Sequence, residues 1–182
     1  MSRTLRIIGG DWRRRQVSFA AVAAIRPTPD RVRETLFNWL QGEVYGARCL
    51  EPFAGSGILS MEALSRGAAH CTVLDSAAEA TASIRTSLKE LGAPQQTFQC
   101  EIADARAWLA QCRDRFNIIF LDPPFADGDC SHLINLCLAC LEPDGYLYVE
   151  TPEPVPAKPE YEIIRQKRAG AVHYALLSHA NP

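Results

Sequence analysis

The chain has 182 residues, 47% of them hydrophobic and 22% charged, and a net charge of −2. This is ordinary globular composition, long enough for one domain with a full core. No run approaches the roughly 18 apolar residues of a membrane helix, and the start Met-Ser-Arg lacks an apolar h-region, so neither a spanning helix nor a signal peptide is expected. The charge is uneven. Arg3, Arg6, Arg13, Arg14, Arg15, Arg26, Arg31 and Arg33 face only Asp11 and Asp30, so residues 1–33 carry +6 and the other 149 carry −8. A basic arm on an acidic body suggests a polyanion reached through the arm.

Residues 5–19 read as a β-hairpin turning at Gly9-Gly10-Asp11. Thr28 is expected to cap a helix that has Pro29 in its first turn and runs to about Leu40, with Val32, Leu36, Trp39 and Leu40 on one face. Strand Cys49–Phe53 then leads through a Gly-rich turn into a helix ending near Arg66. Strand Cys71–Asp75, a helix at 77–91, strand Thr97–Ile102 and a short helix holding Trp108 follow. Strand Phe116–Leu121, a helix at 131–142 and strand Tyr146–Glu150 come next. A Pro-rich loop at 152–159 precedes a closing hairpin, Tyr161–Lys167 and Val172–Ser178, across Ala169-Gly170. Strands alternating with helices argue for a mostly parallel, doubly wound α/β sheet, with an antiparallel strand contributed by the closing hairpin. The division expected is a basic hairpin arm over 1–26 and a single α/β domain over 27–182.

The seven cysteines are odd in number and scattered. Cys49, Cys71 and Cys100 lie in apolar runs, where free cysteine acts as a small hydrophobe, which favours a reducing cytoplasm. Cys137-x-x-Cys140 with Cys130 and His132 can be drawn as a zinc site, but no second close pair exists, and no metal is expected.

Two motifs carry chemistry. Glu51-Pro-Phe53-Ala-Gly55-Ser-Gly57 sits at a strand end and opens a helix. Its glycines allow a tight turn and a close approach to a ligand, and its acidic residue suits a positive amino group. Asp75 ends the next strand, where a carboxylate commonly holds ribose hydroxyls. Position 60 is Ser, so the third glycine of the dinucleotide fingerprint is missing. The pattern indicates a nucleoside cofactor and does not by itself separate NAD from S-adenosylmethionine. Asp104, past the third strand of this unit, is placed to meet an adenine edge or to cap the next helix.

The second motif is Asp122-Pro123-Pro124-Phe125, after the apolar run Ile118–Leu121. The prolines stiffen a strand exit. A purine amine is a poor nucleophile, because its lone pair is delocalised into the ring. Hydrogen bonds from such an amine to the Asp122 carboxylate and the Pro123 carbonyl would draw the nitrogen towards tetrahedral geometry and aim its lone pair at an electrophilic methyl. Asp122 would stabilise the charge that develops and help the proton leave. Phe125 would stack on the base. Both motifs fall on the same edge of one sheet.

These residues resemble a Rossmann-like class I S-adenosylmethionine-dependent methyltransferase. More narrowly, the chain is similar to the bacterial small-subunit ribosomal RNA guanine-N2 methyltransferase family called RsmD. The likeness is carried by Arg6-Ile-Ile-Gly-Gly-Asp-Trp12-Arg13 and by Arg26-Pro27-Thr28-Pro-Asp30-Arg31-Val-Arg33-Glu34-Thr35-Leu-Phe37-Asn38-Trp39. It continues in Phe53–Gly57, Glu62–Arg66 and Asp122–Phe125. It implies methyl transfer from S-adenosylmethionine to the N2 amine of a guanine in 16S rRNA, presented in an assembled small subunit, by a cytoplasmic monomer. By position, Glu51, Phe53, Gly55 and Gly57 would line the methionine end, Asp75 would take the ribose and Asp104 the adenine. Arg26 and Thr28 would lie in a segment closing over the cofactor, and Asp122, Pro123, Pro124 and Phe125 would hold the guanine. Arg6, Trp12, Arg13, Arg14 and Arg15 would grip RNA. An adenine-N6 methyltransferase and a non-catalytic RNA-binding assembly factor remain as alternatives.

Overall fold

A computed structural model describes residues 3–19, 27–124 and 130–180. Strands β1 (Arg3–Arg6) and β2 (Gln16–Phe19) form an antiparallel hairpin. Helix α1 (Asp30–Trp39) follows, and then β3 (Arg48–Glu51), α2 (Ile58–Ser65), β4 (His70–Asp75), α3 (Ala78–Leu91) and β5 (Phe98–Ile102). Helix α4 (Ala105–Gln111), β6 (Phe116–Leu121), α5 (Ser131–Ala139), β7 (Leu141–Thr151), β8 (Tyr161–Ala169) and β9 (Val172–His179) complete the chain. The last seven strands make one sheet in the order β5-β4-β3-β6-β7-β9-β8. Every pairing from β5 to β7 is parallel, and β9 is antiparallel to both of its neighbours. The order reverses at β3, which pairs with β4 on one side and β6 on the other. In such sheets the crevice outside the strand ends at this switch point is where ligands bind.

Period-2 alternation sorts the apolar side chains between two cores. Cys49, Val73, Ile118, Phe120 and Tyr148 belong to one, with apolar residues of α1, α2 and α3. Leu50, Leu74, Ile119, Leu121, Leu147 and Val149 belong to the other, with Leu109 of α4 and Leu133, Ile134, Cys137 and Leu138 of α5. Both faces are covered, which is why the central strands read as continuous apolar runs. Ile7 and Val17 of the hairpin lie in the first core, so the expected arm packs on the body.

Two expectations are corrected. Thr28 does not cap α1: Pro29 takes the N-cap position with no side-chain cap, and the Thr28 hydroxyl is drawn to a carboxylate across the sheet. The helix expected over 131–142 stops at Ala139, and β7 begins at Leu141 rather than Tyr146. Leu141 pairs with Phe116, and an irregularity separates this pair from Ile118 and Tyr146. Gly145 serves that irregularity, since a Cβ there would meet the Asn117 carbonyl oxygen at 2.9 Å.

Candidate functional site

The alternation that fills the first core also aims four carboxylates. Counting by twos from Cys49, Val73, Phe120 and Tyr148 gives Glu51, Asp75, Asp122 and Glu150, so all four share the face covered by α1, α2 and α3. They line a cleft of about 670 Å³ at the strand ends, together with Thr28, Phe53, Gly55 and Asp104. Its size falls in the range of pockets for small molecules and cofactors.

The Gly-rich turn connects β3 to α2. Gly55 and Gly57 have φ of +52° and +69°, in the left-handed region that favours glycine. A Cβ on Gly57 would lie 2.8 Å from Ile84 Cγ1, so the turn is pressed against α3. Asp75 braces it: Gly55 N–H donates to Oδ2 and Ala77 N–H to Oδ1, both over 2.8 Å. Glu51 is buried, and its Oε2 accepts from the backbone N–H and the hydroxyl of Ser60. Burial pushes its pKa up to about 7; the Ser60 hydrogen bonds oppose this and the Asp75 charge adds to it. A cation beside Glu51 would favour its ionised form. A glycine cradle and a buried carboxylate therefore fit a nucleoside cofactor with a positive amino-acid end. Phe53 is half-buried against the second core. Asp104 caps α4, its Oδ1 accepting from Ala107 N–H over 2.8 Å.

Asp122 follows the last residue of β6. Pro123 is buried and Pro124 exposed. Burial raises the Asp122 pKa well above the ordinary carboxylate range, and the nearby charges of Glu150 and Glu51 raise it further. Glu150 is the site residue that sequence reasoning missed. Its Oε1 accepts from Thr28 Oγ1 over 3.0 Å and from Tyr148 Oη over 2.8 Å. The available signal was a carboxylate ending β7 beside the strand that delivers Asp122. Arg26 and Phe125 fall outside the described residues.

The hairpin cations take different positions. The tip rests on the end of α2: Asp11 N–H donates to the Ser65 carbonyl, and Trp12, half-buried, donates its backbone N–H to Ser65 Oγ. Arg15 donates to the Leu91 and Glu90 carbonyls at the end of α3. Ala80 lines the cleft, and Leu91 lies eleven residues further along the helix, about 16 Å away at 1.5 Å per residue. The Arg13–Arg15 turn is thus at the sheet edge opposite the cleft. Arg13 and Arg14 are exposed there. Arg6 approaches Asp30 at 4.0 Å, and its carbonyl accepts from Arg33. Sequence reasoning also passed over Arg165, Lys167 and Arg168, exposed on β8. Lys167 pairs with Tyr174, which pairs in turn with Glu150, so this basic row stands at the cleft's own edge of the sheet. Charged residues on an outer strand also discourage edge-to-edge pairing.

The family model described as conserved hypothetical protein 95 matches residues 5–178. The chain is 40% identical over 181 residues to ribosomal RNA small subunit methyltransferase D of Escherichia coli (strain K12), covering 94% of this chain and 88% of that one. It is 35% identical over 178 residues to the protein of the same name in Haemophilus influenzae, covering 94% and 92%. The solved structure of the Escherichia coli protein yhhF matches with a TM-score of 0.88 and 37% identity, over 99% of this chain and 100% of that one.

Proposed function

Because this chain belongs to the ribosomal RNA small subunit methyltransferase D family, we propose that it methylates the exocyclic N2 amine of a guanine in 16S rRNA, within the small ribosomal subunit. It is a methyltransferase that uses S-adenosylmethionine. The observation that carries the reading is Asp122, held with Pro123 at the end of β6 in the cleft that also contains the glycine cradle.

When bound, S-adenosylmethionine supplies an electrophilic methyl group on a sulfonium. Gly55 and Gly57 would leave room for its amino-acid end, Glu51 would hold its positive amino group and Asp75 its ribose, while Asp104 would meet its adenine and Thr28 stands in the segment that would close over it. Asp122 and the Pro123 carbonyl accept hydrogen bonds from the guanine amine and orient its lone pair. Asp122 then receives the proton as the nitrogen becomes cationic; its raised pKa suits that role. Pro124 stiffens the exit, and Phe125 would stack on the base. Arg6, Trp12, Arg13 and Arg14 contact RNA along the hairpin, and Lys167 and Arg168 add positive charge beside the cleft. The protein works as a monomer in the cytoplasm, where assembled subunits are found. Among the described residues no helix is long and apolar enough to cross a membrane.

The test supplies purified protein and labelled S-adenosylmethionine to small subunits from a strain lacking the gene, followed by nucleoside analysis by mass. A single N2-methylguanosine is expected. N6-methyladenosine would move the protein to the adenine class. Asp122→Ala is expected to lower the rate at least 100-fold while cofactor and RNA binding persist; no methylation of particles, naked RNA or DNA by the wild-type protein, despite cofactor binding, would favour an assembly factor.

A further inference from the structure

We propose that Glu150 reads the N1–H of the target guanine, beside the amine held by Asp122, and so selects guanine over bases without that donor. This rests on the guanine-N2 reading above and adds to it a residue that chooses the base.

The placement follows from strand register. Leu121 of β6 pairs in parallel with Val149 of β7, so Asp122 and Glu150 are the next residues of two neighbouring strands about 4.8 Å apart. Their side chains point to the same face, and both line the cleft. Glu150 is 5% exposed. Its Oε1 is fixed by Thr28 and Tyr148, whereas its Oε2 takes no hydrogen bond from any described residue. A rigidly held carboxylate in the cleft, with one oxygen that no described residue bonds, is an acceptor for a donor that enters the cleft.

Guanine presents N1–H and the N2 amine side by side on its Watson–Crick edge. Two adjacent acceptors match two adjacent donors. Adenine carries a lone pair at N1, and that lone pair would face the Glu150 carboxylate. Burial raises the pKa of both carboxyls, and Glu150 adds its charge to Asp122. A base edge that supplies N–H donors to each offsets this cost, and a base edge with a lone pair does not.

The residues to hand also provide a swap. Glu150→Gln keeps an oxygen for Thr28 and Tyr148 and replaces Oε2 with an N–H donor. 2-Aminopurine keeps the reacting N2 amine but has a lone pair at N1. Small subunits reconstituted with 2-aminopurine at the target position should be methylated by the wild-type protein about 10- to 100-fold less efficiently than guanine particles, the range expected for one base-edge contact. The Glu150→Gln protein should reverse this order. Fluorescence of the 2-aminopurine, read without cofactor, should report tighter binding by the variant. A wild-type protein that treats both particles alike overturns the proposal and leaves the guanine reading intact, and this comparison needs no variant. A Glu150→Gln protein equally impaired on both bases, with its cofactor-induced rise in Tm intact, shows that Glu150 only holds Thr28 and Tyr148, and also overturns it. A wild-type product of N6-methyladenosine removes the guanine reading and this one together.

Discussion

Thr28 Oγ1 donates to Glu150 Oε1 over 3.0 Å, joining residues 122 positions apart at the lip of the cleft. The bond ties the segment before α1 to the end of β7, and both residues are buried. Thr28→Val keeps the shape and removes the donor. It is expected to lower stability by about 1 kcal/mol and to reduce kcat/KM for methyl transfer, whereas Thr28→Ser retains both. Thermal unfolding and steady-state rates on small subunits check this pair; equal stability of all three proteins would show that the bond contributes nothing.

Glu51 gives a pH dependence with a definite sign. Its pKa is about 7 in the folded protein and 4.5 as the reference carboxyl. Between these values the folded state holds more protons than the unfolded one, so stability falls as pH rises. The favourable contribution is complete below pH 4.5 and is lost as pH passes through about 7. The full difference is on the order of 3 kcal/mol. Glu51→Gln should therefore flatten the stability profile between pH 5 and 8, measured by urea unfolding. The same substitution should weaken cofactor binding most above pH 7, where the wild-type carboxyl is ionised and faces the cationic ligand.

Arg33 is buried completely and donates to four groups. Nε reaches the Thr28 carbonyl at 3.2 Å, Nη1 reaches Glu62 Oε1 at 2.6 Å, Nη1 and Nη2 both reach the Arg6 carbonyl at 3.0 Å, and Nη2 reaches Asp30. It joins the hairpin, the lip segment, α1 and α2. Arg33→Met leaves Glu62 with only Arg66 opposite it and should cost about 3–5 kcal/mol. Arg33→Lys should rescue little, because one ammonium cannot span the same fork. Adding Glu62→Gln to Arg33→Met should recover part of the loss in denaturant titrations, since the two residues share one network.

The hairpin arginines should separate by role. Arg15 bonds the last carbonyls of α3, where a cation also complements the helix dipole, so Arg15→Ala should cost up to about 1 kcal/mol of stability. Arg13→Ala with Arg14→Ala should leave stability unchanged and lower the slope of log affinity against log salt by roughly 1–2 for RNA. Filter binding across a salt series reads both. An unchanged slope would remove these two arginines from the RNA interface, and Lys167→Glu with Arg168→Glu then tests the cations at the cleft edge.

Much of this was legible in the sequence because it is local. The run Phe116–Leu121 ends at a carboxylate and two prolines, and β6 has those same limits. The closing hairpin and its turn at Ala169-Gly170 follow from alternation and one glycine. What escaped depends on partners far along the chain. Thr28 looks like a helix cap to its neighbours, yet a buried carboxylate from β7 claims its hydroxyl. Helix α2 is buried on every side, so it has no polar face to reveal that Ser60 and Glu62 serve Glu51 and Arg33. Leu141–Gly145 carries turn residues and nevertheless extends β7, because Leu141 finds Phe116 beside it.

The hairpin's docking also sets an order of events during synthesis. Ile8 waits for Glu62, 54 residues later, and Arg15 for Leu91, 76 residues later. Among the described residues outside the hairpin, the core that holds Ile7 and Val17 begins at α1. The hairpin is therefore completed only after α3 has been synthesised, roughly 4–15 s after its own residues at elongation rates of about 5–20 residues per second. Throughout that interval the arginine-rich hairpin, lacking the partners it docks on, would lie beside ribosomal RNA, the polymer that its folded form is proposed to modify.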